Sequence, residues 1–223
     1  MFKQDEAPPP PPTFAEKIAK WFPQLQAKTV DQLSKYNDEL LKFNKTINLV
    51  SEQTLKKADI VHFSDCILAC SLIEQNLISN APLYDFNSGN GFPGLVFGII
   101  FPKIQTILIE KDSRKAEFLK HVRTLLHLEN VEVRNIDPDE IAENSVLNAM
   151  SRAYLPLHKV LLSSRHQIQP GGKFFHLKSD SWPQELASVP SQLFSVWDPA
   201  MLGQYSLPET GVTMAVVITN KIS

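Results

Sequence analysis

The residues best suited to chemistry sit in one short run, Tyr84-Asp85-Phe86-Asn87-Ser88-Gly89-Asn90-Gly91-Phe92-Pro93-Gly94. A strand is expected to end near Phe86, and Pro93 suits the first turn of a following helix. The glycines between them permit positive φ angles and let a ligand approach the backbone closely. Amides at the helix start then face that ligand, at the carboxyl edge of a strand, where open α/β sheets bind their ligands. Gly89 to Gly94 also satisfies G-x-G-x-x-G, a pattern that is weak alone. Glu110 lies 21 positions after Gly89 and ends the expected strand Thr106–Ile109. A carboxylate there can accept both hydroxyl hydrogens of a ribose. NAD and S-adenosylmethionine both carry that ribose, so Glu110 does not choose between them.

An α/β frame is needed to position such a loop, and the rest of the chain supplies the pattern for one. From Val30 to Asn44 the positions Leu33, Tyr36, Leu40, Leu41 and Phe43 largely keep helical spacing, and a second amphipathic stretch runs from about Ala58 to Gln75. After Pro82 short β-rich runs alternate with helical ones. Leu83–Phe86, Thr106–Ile109, Val131–Val133, Val146–Met150, Gly172–Leu177, Leu193–Trp197 and Met214–Thr219 read as strands, with helical stretches at Pro93–Phe101 and Ser113–Leu126. Alternation of this kind means crossover units and a mainly parallel sheet. The final two strands, with no helix between them, suggest an antiparallel hairpin at the sheet edge. The division expected is a proline-rich tail over 1–13, a helical extension over 14–80 and the α/β domain over 81–223. Pro8 to Pro12 form an unbroken run, read as an extended spacer.

Composition bounds the function classes. The 223 residues are 43% hydrophobic, enough for a packed core, and a net charge of -2 excludes a uniformly basic nucleic-acid binder. The charge is blocky, however. Lys103 to Arg123 holds six basic and three acidic residues, Leu125 to Met150 is acidic apart from Arg134, and Ser151 to Lys178 holds five basic residues and no acidic one. One face can therefore be basic. Cys66 and Cys70 sit four apart on an expected helix, a spacing that makes no zinc site without further ligands; they read as buried, reduced thiols. No metal is expected. No run is long enough to span a bilayer, and Met1 to Ala7 lacks the pattern of a signal peptide, so a cytoplasmic protein is expected.

Several blocks together carry a resemblance. Lys42-Phe43-Asn44-Lys45-Thr46-Ile47-Asn48-Leu49, His62-Phe63-Ser64-Asp65, the Ser88 to Gly94 loop, Phe118-Leu119-Lys120-His121-Val122, Ser151-Arg152-Ala153-Tyr154 and Leu177-Lys178 occur in that order. In them the chain resembles the bacterial 16S ribosomal RNA guanine-N7 methyltransferases, also called glucose-inhibited division protein B, from about Val30 to Ile222. The resemblance implies a class I S-adenosylmethionine-dependent methyltransferase fold, a Rossmann-like, seven-stranded, mainly parallel sheet with a small N-terminal helical extension. It implies S-adenosyl-L-methionine as donor, guanine N7 as acceptor, and 16S ribosomal RNA or the small ribosomal subunit as partner; a monomer is expected. Carried over by position, Asn87, Gly89, Gly91, Phe92, Glu110, Pro138, Asp139 and Arg152 hold the cofactor. Arg152 and Lys178 are the catalytic pair, Arg152 complementing developing charge or holding a phosphate. Asn44, Lys45, His62, Arg114, Lys115, Arg123 and Lys178 line the RNA side. Guanine N7 already offers a lone pair, so its methylation needs alignment and desolvation more than a base. No Asn/Asp-Pro-Pro-Tyr/Phe motif for exocyclic amines is present.

Four positions depart from the pattern that the resemblance implies. Asn87 stands where a glycine is usual, Asp137 replaces an arginine, Asn148 an aspartate and Val212 an arginine. All four are expected in or near the site. A divergent, non-catalytic paralogue that keeps the fold and binds RNA or S-adenosylmethionine is the alternative reading.

Overall fold

In the computed structural model, residues 10–152 and 155–223 are described. Pro8 and Pro9 of the proline run, and Ala153-Tyr154 of the fifth block, lie outside them; Pro10 to Pro12 are exposed.

Helix α1 (Phe14–Trp21) starts at a capping box in which Thr13 and Glu16 satisfy each other's backbone N–H groups. It is followed by α2 (Ala27–Phe43), which buries Leu33, Tyr36 and Leu40 as the spacing predicts, and Val30 with them, whereas Leu41 is exposed and Phe43 half-buried. A short α3 (Glu52–Leu55) leads to the second amphipathic stretch. That stretch is not one regular helix. It opens as a π-helical segment, Asp59–Ser64, and continues as α4 (Asp65–Glu74). Such wide turns free carbonyls from the usual ladder and recur at functional sites.

The sheet contains β1 (Leu83–Phe86), β2 (Thr106–Ile109), β3 (Val131–Arg134), β4 (Val146–Arg152), β5 (Ile168–Ser179), β6 (Trp197–Ser206) and β7 (Thr213–Lys221) in the order β3-β2-β1-β4-β5-β7-β6. The first five are parallel, while β7 runs antiparallel between β5 and β6. Helices α5 (Gly94–Ile100), α6 (Ser113–Leu125) and α7 (Leu157–Ser163) make crossovers, and α8 (Trp182–Ala187) follows β5. Leu193–Trp197, expected as a strand, instead forms a 3₁₀ turn over Ser191–Ser195, and the strand begins at Trp197. Pro190 precedes that turn and Leu193 anchors it in the core, so its apolar residues serve a turn rather than a ladder.

The helical extension shares a core with the sheet. Tyr36, Phe63, Cys66 and Cys70 pack with Phe92, Leu95 and Phe118, while a second cluster around Phe86, Phe174 and Trp197 covers the opposite face. Cys66 and Cys70 are buried free thiols, and burial pushes both well above the ordinary thiol range. Among the described residues no helix is long and apolar enough to cross a membrane, and no three His, Cys, Asp or Glu side chains are grouped to hold a metal.

Candidate active site

The glycine loop lies at the carboxyl edge of β1, as expected. Asn87 takes a φ of 61°, so asparagine accommodates the left-handed turn without glycine. At Gly94 glycine is obligatory: an added Cβ would stand 2.2 Å from Leu108 Cδ2 and 2.5 Å from Asp85 Oδ2. The close approach lets Asp85 Oδ2 accept the Gly94 N–H at 3.0 Å and hold the start of α5. Asp85 Oδ1 is buried without a partner, and burial raises its carboxyl to about 7.

Glu110 reaches back to the same loop. Its Oε2 accepts the Gly89 N–H at 2.6 Å and its Oε1 the Asp112 N–H at 2.8 Å, and the residue is 2% exposed. The extension ties the loop from the other side. Asn44 Oδ1 accepts the N–H groups of Leu49 and Val50, both at 2.9 Å. The Leu49 carbonyl in turn accepts from Asn90 Nδ2 at 3.0 Å, and Tyr36 donates its hydroxyl to the Asn90 carbonyl. Asn44 is therefore a loop clamp, while Lys45 beside it is exposed.

Arg152, at the carboxyl end of β4, gathers the second half of the site. Its Nη1 donates to the Val61 carbonyl at 3.1 Å and to Asp65 Oδ2 at 3.2 Å, and Nη2 meets His62 Nδ1 at 2.9 Å. The π-helical segment explains this meeting, because it brings Val61, His62 and Asp65 onto one guanidinium. Phe92 of the glycine loop lies beneath both, its ring 5.2 Å from that of His62 and 5.1 Å from the Arg152 guanidinium carbon. A guanidinium always donates, so His62 Nδ1 accepts and the ring stays neutral. Burial, with Arg152 adjacent, depresses His62 to about 3. Asp65 is 2% exposed, and its Oδ1 accepts the Tyr205 hydroxyl at 2.7 Å.

A cavity of about 740 Å³ opens on this cluster. Arg152, His62 and Asp65 line it, and Leu155, Pro156, Leu177 and Met214 supply apolar walls. Lys178 and Glu185 also line it, joined by an ion pair of 2.7 Å, with Lys178 also 3.4 Å from the Leu155 carbonyl. Lys178 and Arg152 are thus brought to one cavity, but each is already paired with a carboxylate.

Other residues fall elsewhere. Arg114 and Lys115 lie in the first turn of α6, on the loop's edge of the sheet. Arg123 is near the far end of that helix, donating to the Val131 carbonyl at the amino edge of β3. The helix axis separates it from the expected RNA side. Pro138 is buried and Asp139 exposed in a 3₁₀ turn capped by Asp137, which is also 3.2 Å from Lys111. Asn148 is not at the site: it pairs with Leu83 at the amino end of β1, and its amide bonds Ile78 N, Ile78 O and Ala81 O. Val212 is exposed in the β6–β7 turn. Sequence reasoning missed Asp65, Tyr205, Glu185 and Asp85 as site residues. Asp65 and Asp85 stood inside quoted blocks, whereas Glu185 and Tyr205 sit in segments with no motif.

Comparison with known proteins matches residues 29–196 to the family described as rRNA small subunit methyltransferase G. The ribosomal RNA small subunit methyltransferase G 3 of Bdellovibrio bacteriovorus is 41% identical over 207 residues, which cover 93% of this chain and 94% of that protein. The ribosomal RNA small subunit methyltransferase G of Halorhodospira halophila is 29% identical, over 81% of this chain and 86% of that one. Among solved structures, the YcgJ protein from Bacillus subtilis superimposes with a TM-score of 0.54 at 11% identity, covering 73% of this chain and 100% of that one. The tRNA (m1A58) methyltransferase TrmI from Aquifex aeolicus gives 0.52 at 13%, covering 72% and 69%. These two likenesses show the fold alone, and that fold is the class I methyltransferase architecture. By its sequence match and its fold, the chain belongs to the rRNA small subunit methyltransferase G family.

Proposed function

We propose that the protein transfers a methyl group from S-adenosyl-L-methionine to N7 of a guanine in 16S ribosomal RNA, acting in the cytoplasm as a monomer on the RNA or the small subunit. The observation that carries this reading is the junction of the glycine loop with the cavity, where Phe92 touches both Arg152 and His62. A donor held by the loop and a base held in the cavity would meet across that ring. The three-part division, tail over 1–13, extension over 14–80 and methyltransferase domain over 81–223, belongs to the same proposal.

The residues fit the cofactor. Each Glu110 oxygen accepts one backbone N–H and keeps one acceptor position for a ribose hydroxyl. Because Glu110 is 2% exposed, the diol reaches it only as the loop over 87–91 yields locally. Asn87, Gly89, Gly91 and Phe92 would hold the methionine and ribose parts, with Pro138 and Asp139 toward the adenine. When bound, S-adenosylmethionine supplies an electrophilic methyl group on a sulfonium. The chain's own part is to align the acceptor and exclude water. No side chain need take a proton, since N7 carries an unprotonated lone pair, and His62, held neutral, adds no charge to repel the sulfonium. Arg152, with Nη1 and Nη2 anchored, keeps free N–H donors for an RNA phosphate, and Lys45, Arg114 and Lys115 attract the RNA backbone.

The test is incubation of the full chain with unmodified small subunits and methyl-labelled donor, followed by nuclease digestion and mass spectrometry. 7-Methylguanosine at one position is the expected product. Donor and RNA binding with no methylated nucleoside would support the non-catalytic reading instead.

A further inference from the structure

The Lys178–Glu185 pair in the cavity lining presents a pattern that matches one base. Lys178 Nζ and the Glu185 carboxylate lie side by side, 2.7 Å apart. Glu185 Oε2 accepts from Lys178 and from the Leu157 N–H at 2.9 Å, whereas these anchoring bonds leave Oε1 unused. The Glu185 side chain is about one-third exposed and that of Lys178 is 11% exposed, so the pair is fixed at the cavity wall rather than spread in solvent. Despite the cost of burial, the lysine and the Leu157 amide hold the carboxyl below the ordinary glutamate range, so it is ionised at neutral pH. The pair thus offers a donor on Lys178 and an open acceptor, Oε1, on Glu185.

The Watson–Crick edge of guanine is the complement: acceptor O6, donor N1–H, donor N2–H. Adenine offers a donor at N6 and an acceptor at N1, which would set like against like. On the reading given above, and resting on it, we propose that Glu185 is the specificity-determining residue for the acceptor guanine, its open Oε1 accepting from N1–H and N2–H while Lys178 donates to O6. The ring then lies against the apolar lining that Leu155, Pro156, Leu177 and Met214 supply. N7, across the purine from N2, then faces away from Glu185. The carboxylate also serves the reaction. Methylation places positive charge on the purine and makes N1–H a stronger donor, so the bond to Glu185 strengthens as the new N–C bond forms. Arg152 cannot supply that stabilisation, since it is itself a cation.

The experiment replaces the target guanosine, once mapped, by inosine, which keeps N1–H, O6 and N7 but lacks the N2 amine. Methyl transfer is then measured for the native protein, Glu185→Gln and Glu185→Ala on small subunits carrying either base. The native protein is expected to prefer guanosine by about tenfold or more, the worth of one charge-assisted hydrogen bond. In both variants that preference is expected to fall to within about twofold, because the partner of N2 is gone. A glutamate that merely braced Lys178 and Leu157 would lower both rates together and leave the ratio intact. Glu185→Gln keeps an acceptor for the Leu157 amide and so guards against loss of the fold, checked by thermal melting. A native ratio near one, or an unchanged ratio in the folded variants, overturns the assignment. Absence of 7-methylguanosine with the native protein on guanosine would instead strike the methyltransferase reading itself.

Discussion

Strand β4 carries Asn148 toward one end and Arg152 at the other, and the two side chains sit in different surroundings. Asn148, toward the amino end, spends its whole amide on the Ile78–Ala81 connection and is fully buried. Arg152, at the carboxyl end and about 13 Å away along the strand, is braced by Val61, His62 and Asp65 but still faces a cavity. The same contrast runs along α6, where Arg114 belongs to the loop's edge and Arg123 to the opposite one. In a parallel sheet, distance from the carboxyl edge decides whether a polar residue serves chemistry or the fold.

Breaking the carboxyl end should have the largest effect. Among the described residues, Arg152→Ala leaves buried Asp65 with Tyr205 as its one side-chain partner, so a stability loss of about 3–5 kcal/mol is expected from denaturant melts. Methyl transfer by the molecules that remain folded should fall by about 100-fold or more, because the RNA phosphate that Arg152 holds is no longer positioned. Full activity in this variant would remove Arg152 from the site. At the amino end, Asn148→Ala orphans the Ile78 backbone and should cost about 1–3 kcal/mol. Its turnover per folded molecule should match the native protein, and a selective loss of turnover would erase the contrast.

A smaller effect is expected from pH. Burial depresses His62 and His176 to about 3, and it raises Asp85 to about 7. By pH 5 the unfolded chain holds about two histidine protons that the native state refuses, while the native state holds about one at Asp85; at pH 7 the two sides nearly balance. The proton difference therefore grows from about zero to about one, and stability falls toward acid by roughly 1–2 kcal/mol over that range. His176→Asn removes one of the two refusing groups, so melts between pH 7 and 5 should become nearly flat.

Much of this was legible in the sequence, for physical reasons that differ by region. The glycine loop announces itself because positive φ and close packing restrict residue choice, and Glu110 stands out as the acidic residue that ends the next strand, 21 positions after Gly89. Helix α2 was legible from the period of its apolar residues. Leu193–Trp197 misled because five residues rich in apolar side chains suit a buried turn as well as a strand. Asn148 was placed near the site because its nearness to Arg152 in sequence hid its position at the other end of the strand. Glu185 and Tyr205 were invisible, since a lone acidic or aromatic residue gains its meaning only from what the fold sets beside it.

The most direct test of the claim that the carboxyl edge is the working edge is calorimetric titration of the full chain with S-adenosylmethionine, alongside Glu110→Ala. Native binding near micromolar, weakened by about tenfold or more in the variant, is the predicted result. No native binding even at about millimolar donor would contradict it.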